Sequence, residues 1–400
     1  MKKKPKPKKP YPDFPLFLHQ TGQWAKKVRG KLHYFGTDPD AALSKYLDQR
    51  DDLQAGRTPR ASNDGLTVRD LANRFLTSKK TLLDSGELSP RTWAHYFLTC
   101  ENLVGAFGKT RLVLDLTSED FEKLRATLSK TRGAHALSGE VQRVRTLFKY
   151  AWDEGLIEKP VRFGTLFKKP SKKAMRKARH EAGPKMIEAD ELRTLLGAAA
   201  QPMRAMILLA INCGYGQTDV ANLPLKAIDF KGGWIDYPRP KTEVMRRCPL
   251  WPETIAALRE VIPERPKAKS AADAGLMFVT KYGARWVRTR DRGDKPATTV
   301  DAVQLEFGKL LVASELKRPG VGFYALRHTF RTVADGAKDQ PAIDHIMGHA
   351  RDDMASLYRE RIGDDRLRAI TDHVRAWLWP PSEIAHDGQT SNNSFDRPRE

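Results

Sequence analysis

The 400-residue chain is predicted to be mainly α with small β-sheets, an α+β protein built of several domains. Three observations predict this. From residue 66 onward, apolar residues recur at helical spacing in one segment after another, each opened by a Ser, Thr or Pro suited to a helix start. Runs with β-prone patterning are confined mostly to 14–36 and 234–251. Between these regions, residues 160–183 hold eight Lys or Arg, one acid and little apolar periodicity. Such a stretch separates two compact parts, and 400 residues correspond to two or three domains.

Taken in order, residues 1–13 read as a disordered basic arm, with six lysines and three prolines among the first ten positions. Residues 14–60 read as a three-stranded meander plus a helix: Phe14 to Leu18, Gln23 to Val28 and Lys31 to Phe35 are β-prone runs separated by Thr21-Gly22 and Arg29-Gly30 turns. Trp24, Lys26, Lys27, Arg29 and Lys31 lie on or beside these strands, and a basic antiparallel sheet suits a DNA groove.

Residues 66–158 are expected to be all-helical. Val68, Leu71, Ala72, Phe75 and Leu76 share one face. Ser89-Pro90 starts a second helix through Trp93, Tyr96, Phe97 and Leu103, and Thr117-Ser118-Glu119-Asp120 caps a third through Phe121, Leu124 and Leu128. A fourth, from about 138 to 154, carries Val141, Val144, Leu147, Phe148 and Trp152, with the aromatics expected in the core. Arg91 and Arg143 are placed on outer faces that can meet phosphates. Residues 159–183, with Lys168, Lys169, Lys172 and Lys173, read as a basic linker crossing DNA without a fixed fold.

Residues 184–382 compact again. A capped helix follows Ile187, and 203–213 is an apolar helix expected to be buried. Strands are expected at 234–237, 247–251 and 276–279, a helix from Pro252, and a long helix over 298–316. A last helix over 364–379 carries Leu367, Ile370, Val374 and Leu378 as one apolar stripe. Residues 383–400 read as a disordered tail.

Seventy Lys plus Arg against 49 Asp plus Glu leave a formal charge of +21, which points to a polyanionic partner, DNA or RNA. No apolar run reaches the roughly 18–20 residues that span a bilayer, and no signal peptide is seen, so a cytoplasmic protein is expected. Cys100, Cys213 and Cys248 are too few and too scattered for a disulfide framework or a cysteine zinc site.

Chemistry concentrates in Tyr324-Ala-Leu-Arg-His-Thr-Phe-Arg331, Ile346-Met-Gly-His-Ala350 and Ser356-Leu-Tyr-Arg359, read as three short helices. Arg327, His349 and Tyr358 can therefore converge. A phenol with pKa near 10 is a poor nucleophile at neutral pH and needs a proton acceptor and cations around the phosphate it attacks. Arg327 can offer a fork of donors to non-bridging oxygens, and His349 can hydrogen-bond the phosphate or move a proton.

This stretch resembles the C-terminal half of the tyrosine recombinases, or phage integrases. The resemblance rests on Leu326-Arg327-His328, Met347-Gly348-His349 and Tyr358, with nine positions from His349 to Tyr358. It implies a C-shaped DNA clamp made of a helical core-binding domain and a catalytic domain, with the 14–60 module similar to arm-type DNA-binding modules. It implies cutting and rejoining of DNA through a 3′-phosphotyrosyl link, with no metal or other cofactor. Four protomers would assemble on double-stranded DNA by exchange of the C-terminal helix. Lys241 takes the position of the family's loop lysine, whose role is to protonate the departing 5′-oxygen.

Two positions depart from the pattern. In Cys213-Gly-Tyr-Gly-Gln-Thr-Asp-Val220, Gly216 stands where the family has its first arginine, and Tyr324 stands where it has a histidine. Losing a phosphate-directed donor costs roughly 3–4 kcal/mol of transition-state stabilisation. Arg239, Arg246, Arg247 or His328 are the candidates to fill the gap. The other readings are a DNA-binding protein derived from a recombinase with weakened or lost catalysis, and an enzyme that only relaxes supercoils. His345 and His349, four apart, lack a completing carboxylate or cysteine, so no zinc site is expected.

Overall fold

The computed structural model describes residues 9–57, 65–292, 295–349, 358 and 360–380. Most of the expected basic arm and all of the expected tail at 383–400 lie outside the described residues. The chain divides into two compact units, Met1–Glu181 with Thr289–Thr298, and Ala182–Arg288 with Thr299–Glu400.

The first unit opens with an antiparallel sheet in the order β1 (Phe17–Leu18), β2 (Trp24–Val28), β3 (Lys31–Gly36). Val28 pairs with Lys31, so Arg29 and Gly30 make the two-residue turn between β2 and β3, with φ of +49° and +81°. Two left-handed residues match the right-handed twist of the strands that they join. Helix α1 (Pro39–Gln54) begins at Asp38, whose side chain accepts from the Ala41 N–H, and closes over the sheet. Trp24 is 4% exposed and meets Phe14 edge-on at 4.9 Å, with Phe35, Tyr46 and Leu53 in the same core. Trp24 is thus core, not the DNA contact expected of it, because an indole between sheet and helix removes more apolar area from water there than on a solvated strand. Lys26 is also partly engaged inward: its Nζ donates to the Pro15 carbonyl at 2.8 Å and lies 5.9 Å from the Tyr46 ring.

Four helices follow: α2 (Val68–Asp84), α3 (Pro90–Phe107), α4 (Ser118–Thr131) and α5 (Ala134–Asp153). α2 and α4 start at capping boxes, Thr67 with Asp70 and Thr117 with Asp120. Phe121 is fully buried, with edge contacts to Phe107, Phe148 and Phe163. Trp152, expected in this core, is 45% exposed. Arg143 is also corrected: it donates to Glu140 at 2.5 Å and Thr99 at 3.0 Å. Glu140 is buried and takes Arg132, Thr99 and Asn102 as well, as a carboxylate out of water requires.

The expected structureless linker at 159–183 is folded. Phe167 is fully buried in the helical core and stacks on Phe163, while Arg145 donates to the Phe167 carbonyl and covers the Phe163 ring at 4.6 Å. Residues Lys172–Glu181 then form α6, which buries none of its side chains. The two phenylalanines anchor the segment, and the cations around them hid that signal.

In the second unit, α7 (Ala189–Ala198), α8 (Met203–Cys213) and the short α9 (Gln217–Ala221) precede a sheet in the order β4 (Ile228–Asp229), β5 (Trp234–Asp236), β6 (Arg247–Pro249). Its third strand is therefore β4 and not the expected 276–279. Leu276 makes only an isolated bridge to Pro224, and a proline has no N–H with which to extend a ladder. After α10 (Pro252–Glu264) the chain forms an unanticipated hairpin, β7 (Val287–Arg292) with β8 (Lys295–Asp301), whose residues Thr289–Thr298 are grouped with the first unit. The helix expected from 298 thus starts later, as α11 (Ala302–Ala313), capped by Asp301.

Helices α12 (Tyr324–Ala334), α13 (Gln340–Met347) and α14 (Asp364–Leu378) complete the unit. α8 is buried on every face from Ala205 to Cys213, with α10 and α12 against it. The apolar stripe of α14 is used within the chain: Leu367, Ile370, Val374 and Leu378 are at most 1% exposed and join the core beside α12 and β6. Among the described residues, no helix is long and apolar enough to cross a membrane.

Candidate active site

The site is built around the glycine that ends α13. Gly348 has φ +65°, a left-handed backbone that stops the helix and turns His349 back beside it. His349 Nδ1 lies 3.1 Å from Asp344 Oδ1, and its Nε2 lies 2.9 Å from Arg327 Nη2. A guanidinium only donates, so Nε2 accepts and the ring proton sits on Nδ1, donated to Asp344. Burial holds the His349 pKa below the ordinary imidazole value, although the Asp344 hydrogen bond opposes this. The imidazole is neutral at pH 7, with its lone pair aimed at Arg327.

Arg327 projects from the first turn of α12 and is 2% exposed. Besides His349, it donates to the Gly214 carbonyl and to the Met347 carbonyl at 2.9 Å. Its pKa is lowered by burial first and then by nearby Arg239.

The β5–β6 loop reaches the same place. Arg239 Nη1 and Thr242 Oγ1 both donate to the Gly348 carbonyl at 3.3 Å. Lys241, between them in sequence, is exposed. Arg246 is 1% exposed. Its Nε donates to the Tyr237 carbonyl at 2.9 Å, its Nη2 pairs with Asp219 at 3.2 Å, and its guanidinium lies 4.2 Å from the Tyr215 ring centroid. Arg247, in contrast, is tied to Asp236 at 2.7 Å and Asp364 at 3.0 Å and lies over Trp234 at 4.1 Å. It fastens β6 to α14 and is not available to compensate at position 216.

The two departures from the expected pattern touch each other. A Cβ at Gly216 would lie 3.2 Å from Cε2 of Tyr324 and 3.3 Å from Asp219 Oδ2, so the tyrosine ring occupies the space a side chain at 216 would enter. Tyr324 is 43% exposed and packs edge-on against His328, which faces outward with it. Tyr358 stands on a turn, 80% exposed, and makes no hydrogen bond among the described residues. Residues 350–357 and 359, including most of the expected third helix, lie outside the described residues.

The structure therefore brings together Arg327, His349, Arg239, Arg246 and Tyr324, with Lys241 on the adjoining loop. Sequence reasoning missed Asp344, Asp219 and Tyr215. Asp344 carried a signal, a carboxylate five positions before His349 across a helix end. Among the described residues, no three His, Cys, Asp or Glu side chains are grouped to hold a metal.

Residues 185–362 match the model of the phage integrase family. The chain carries a phage integrase family domain. No curated protein matches it. Among solved structures, it is similar to a lambda integrase dimer bound to a COC′ core site, at 16% identity over 88% of this chain and 96% of that one, with a TM-score of 0.54. A lambda integrase tetramer bound to a Holliday junction matches at 18% identity, 88% and 98% coverage and a TM-score of 0.54. The Tn1549 transposon integrase in complex with a circular intermediate DNA matches at 17% identity, 77% and 99% coverage and a TM-score of 0.55. At these identities the likeness is one of fold. The integrase domain holds all of the site described above.

Outside that domain, Lys27, Arg29, Lys31, Arg91, Lys168, Lys169, Lys172 and Lys173 are exposed. Beside Lys27, the outward side of the small sheet also shows Phe17, Leu32 and Tyr34, which are 37–42% exposed and were not anticipated.

Proposed function

We propose that the protein is a site-specific DNA recombinase that cuts and rejoins double-stranded DNA through a 3′-phosphotyrosyl intermediate. The observation that carries this reading is the Arg327–His349–Asp344 chain, because it fixes an imidazole lone pair beside a buried guanidinium. That pairing suits a phosphate anion and an incoming hydroxyl. With DNA bound, Arg327 Nη2 turns from His349 Nε2 to the phosphate, which frees that lone pair; Tyr358 Oη then attacks the scissile phosphorus and gives its proton to His349 Nε2. The bond from phosphorus to the 5′-oxygen breaks, and Lys241 protonates that oxygen. A 5′-hydroxyl from another strand reverses the step, so the energy of the bond is kept in the link and no nucleotide is consumed.

Tyr358, 80% exposed on a turn, leaves its hydroxyl open to a DNA phosphate. Exposed lysines and arginines of the first unit neutralise the DNA backbone. The lambda integrase tetramer on a Holliday junction supports a four-protomer assembly here. The stripe on α14 is buried within its own chain, so exchange of α14 would bury equivalent area on a neighbour. Gly216 favours the second reading, DNA binding with lost chemistry. A suicide substrate nicked near the scissile phosphate decides: the wild type is expected to form a covalent adduct and Tyr358→Phe none, with Kd for DNA unchanged within a few-fold. Adduct in the Phe variant places the nucleophile elsewhere, and none in the wild type leaves the binding reading.

A further inference from the structure

We infer that Arg246, delivered by the β5–β6 loop, is a catalytic residue that supplies a second guanidinium to the scissile phosphate in place of any side chain at position 216. The inference rests on the proposed recombinase reading and extends it. Three features separate Arg246 from the other cations of the site.

The first is an orphaned donor. Nε and Nη2 of Arg246 have partners in Tyr237, Pro238 and Asp219, whereas Nη1 is buried with no hydrogen-bond partner among the described residues. Burying a charged donor unpaired is costly, so a group left that way calls for an explanation, and an anion reaching Nη1 supplies one. The second is charge. Arg246, Arg239 and Arg327 crowd around Gly348 and Gly214, three guanidiniums beside the carboxylates of Asp219, which pairs with Arg246, and Asp344, which holds His349. The excess positive charge acts to lower the Arg327 pKa through Arg239 and Arg246, and an anion would relieve it. A phosphodiester bearing one negative charge and two non-bridging oxygens suits that excess.

The third is position. Asp219 bridges the two sites: its Oδ2 accepts the Gly216 N–H at 2.7 Å while its Oδ1 holds Arg246. The guanidinium of Arg246 also rests on the ring of Tyr215, the residue next to Gly216. Arg246 is thus tied to position 216 through Asp219 and Tyr215, while Tyr324 fills the space that a side chain at Gly216 would enter. The loop that ends at Arg246 is held at Gly348 by the two 3.3 Å hydrogen bonds from Arg239 and Thr242, and a loop fixed by so few contacts can yield to bring a phosphate to Nη1.

The test is single-turnover adduct formation by the full-length protein on two nicked substrates, one with a normal scissile phosphodiester and one with a methylphosphonate there. The methylphosphonate lacks the negative charge that Arg246 would neutralise. Arg246→Ala and Arg246→Lys are compared with wild type, with thermal melting and DNA affinity measured in parallel. Arg246→Lys keeps a cation beside Asp219 and serves if the alanine variant fails to fold. Cleavage of the phosphodiester is expected to fall roughly a hundredfold or more with affinity retained, as for loss of a transition-state donor. On the methylphosphonate the variants are expected to come within a few-fold of wild type. An equal defect on both substrates, or no defect on either, overturns the assignment while the recombinase reading stands. A wild type that forms no adduct on the phosphodiester overturns both.

Discussion

Gly348→Ala probes the turn on which the site depends. The native φ of +65° lies in the left-handed region, where a side chain costs about 1–2 kcal/mol. The added Cβ would also lie 2.7 Å from Arg246 Cδ and 2.9 Å from both Arg239 Cβ and Arg246 Cγ. Arg246 is fully enclosed and cannot retreat into solvent, so the clash adds about 1–3 kcal/mol of the kind seen on overpacking a core. The expected loss is therefore about 2–5 kcal/mol of unfolding free energy. Because the displaced side chains are Arg239 and Arg246, with His349 next in the chain, adduct formation should drop by more than the fraction unfolded accounts for. The assay is urea unfolding of the full-length protein, paired with single-turnover cleavage under conditions where the variant is folded. Gly348→Asn separates the two costs: asparagine tolerates the left-handed backbone but keeps the Cβ, so it should recover only the smaller part. A Gly348→Ala midpoint equal to wild type would refute both the left-handed turn and the enclosure of Arg246.

Two further outcomes follow from the same structure. His349 must be neutral to accept a proton and burial lowers its pKa, so adduct formation should hold steady through neutral pH and fall only below the ordinary imidazole value of 6.5; a decline that begins above that value, measured as cleavage rate against pH, would count against His349 as the base. Lys27, Arg29 and Lys31 changed together to Gln should flatten the plot of log affinity against log salt by about 0.9 for each DNA phosphate that these cations neutralise in the wild type, whereas an unchanged slope would leave these side chains merely solvated.

Much of this protein was legible along the chain because the signals are local. Helix starts at Ser89 and Thr117, and the apolar face through Val68, Leu71 and Phe75, depend on neighbours within a turn or two, and the structure repeats them. The order of Arg327, His349 and Tyr358 likewise named candidates for the site, and the first two meet at 2.9 Å. Tertiary structure decided what each cation is for. Arg246 and Arg247 are adjacent in sequence and indistinguishable there, yet one is sealed against Tyr215 and Asp219 while the other is tied to Asp364, 117 positions away. Trp24 and the stripe on α14 read equally well as surfaces for partners, and both are spent inside the fold. Burial and ion pairing depend on which distant segments arrive at the same point, so residue type and spacing supply the chemical candidates and three-dimensional packing selects among them.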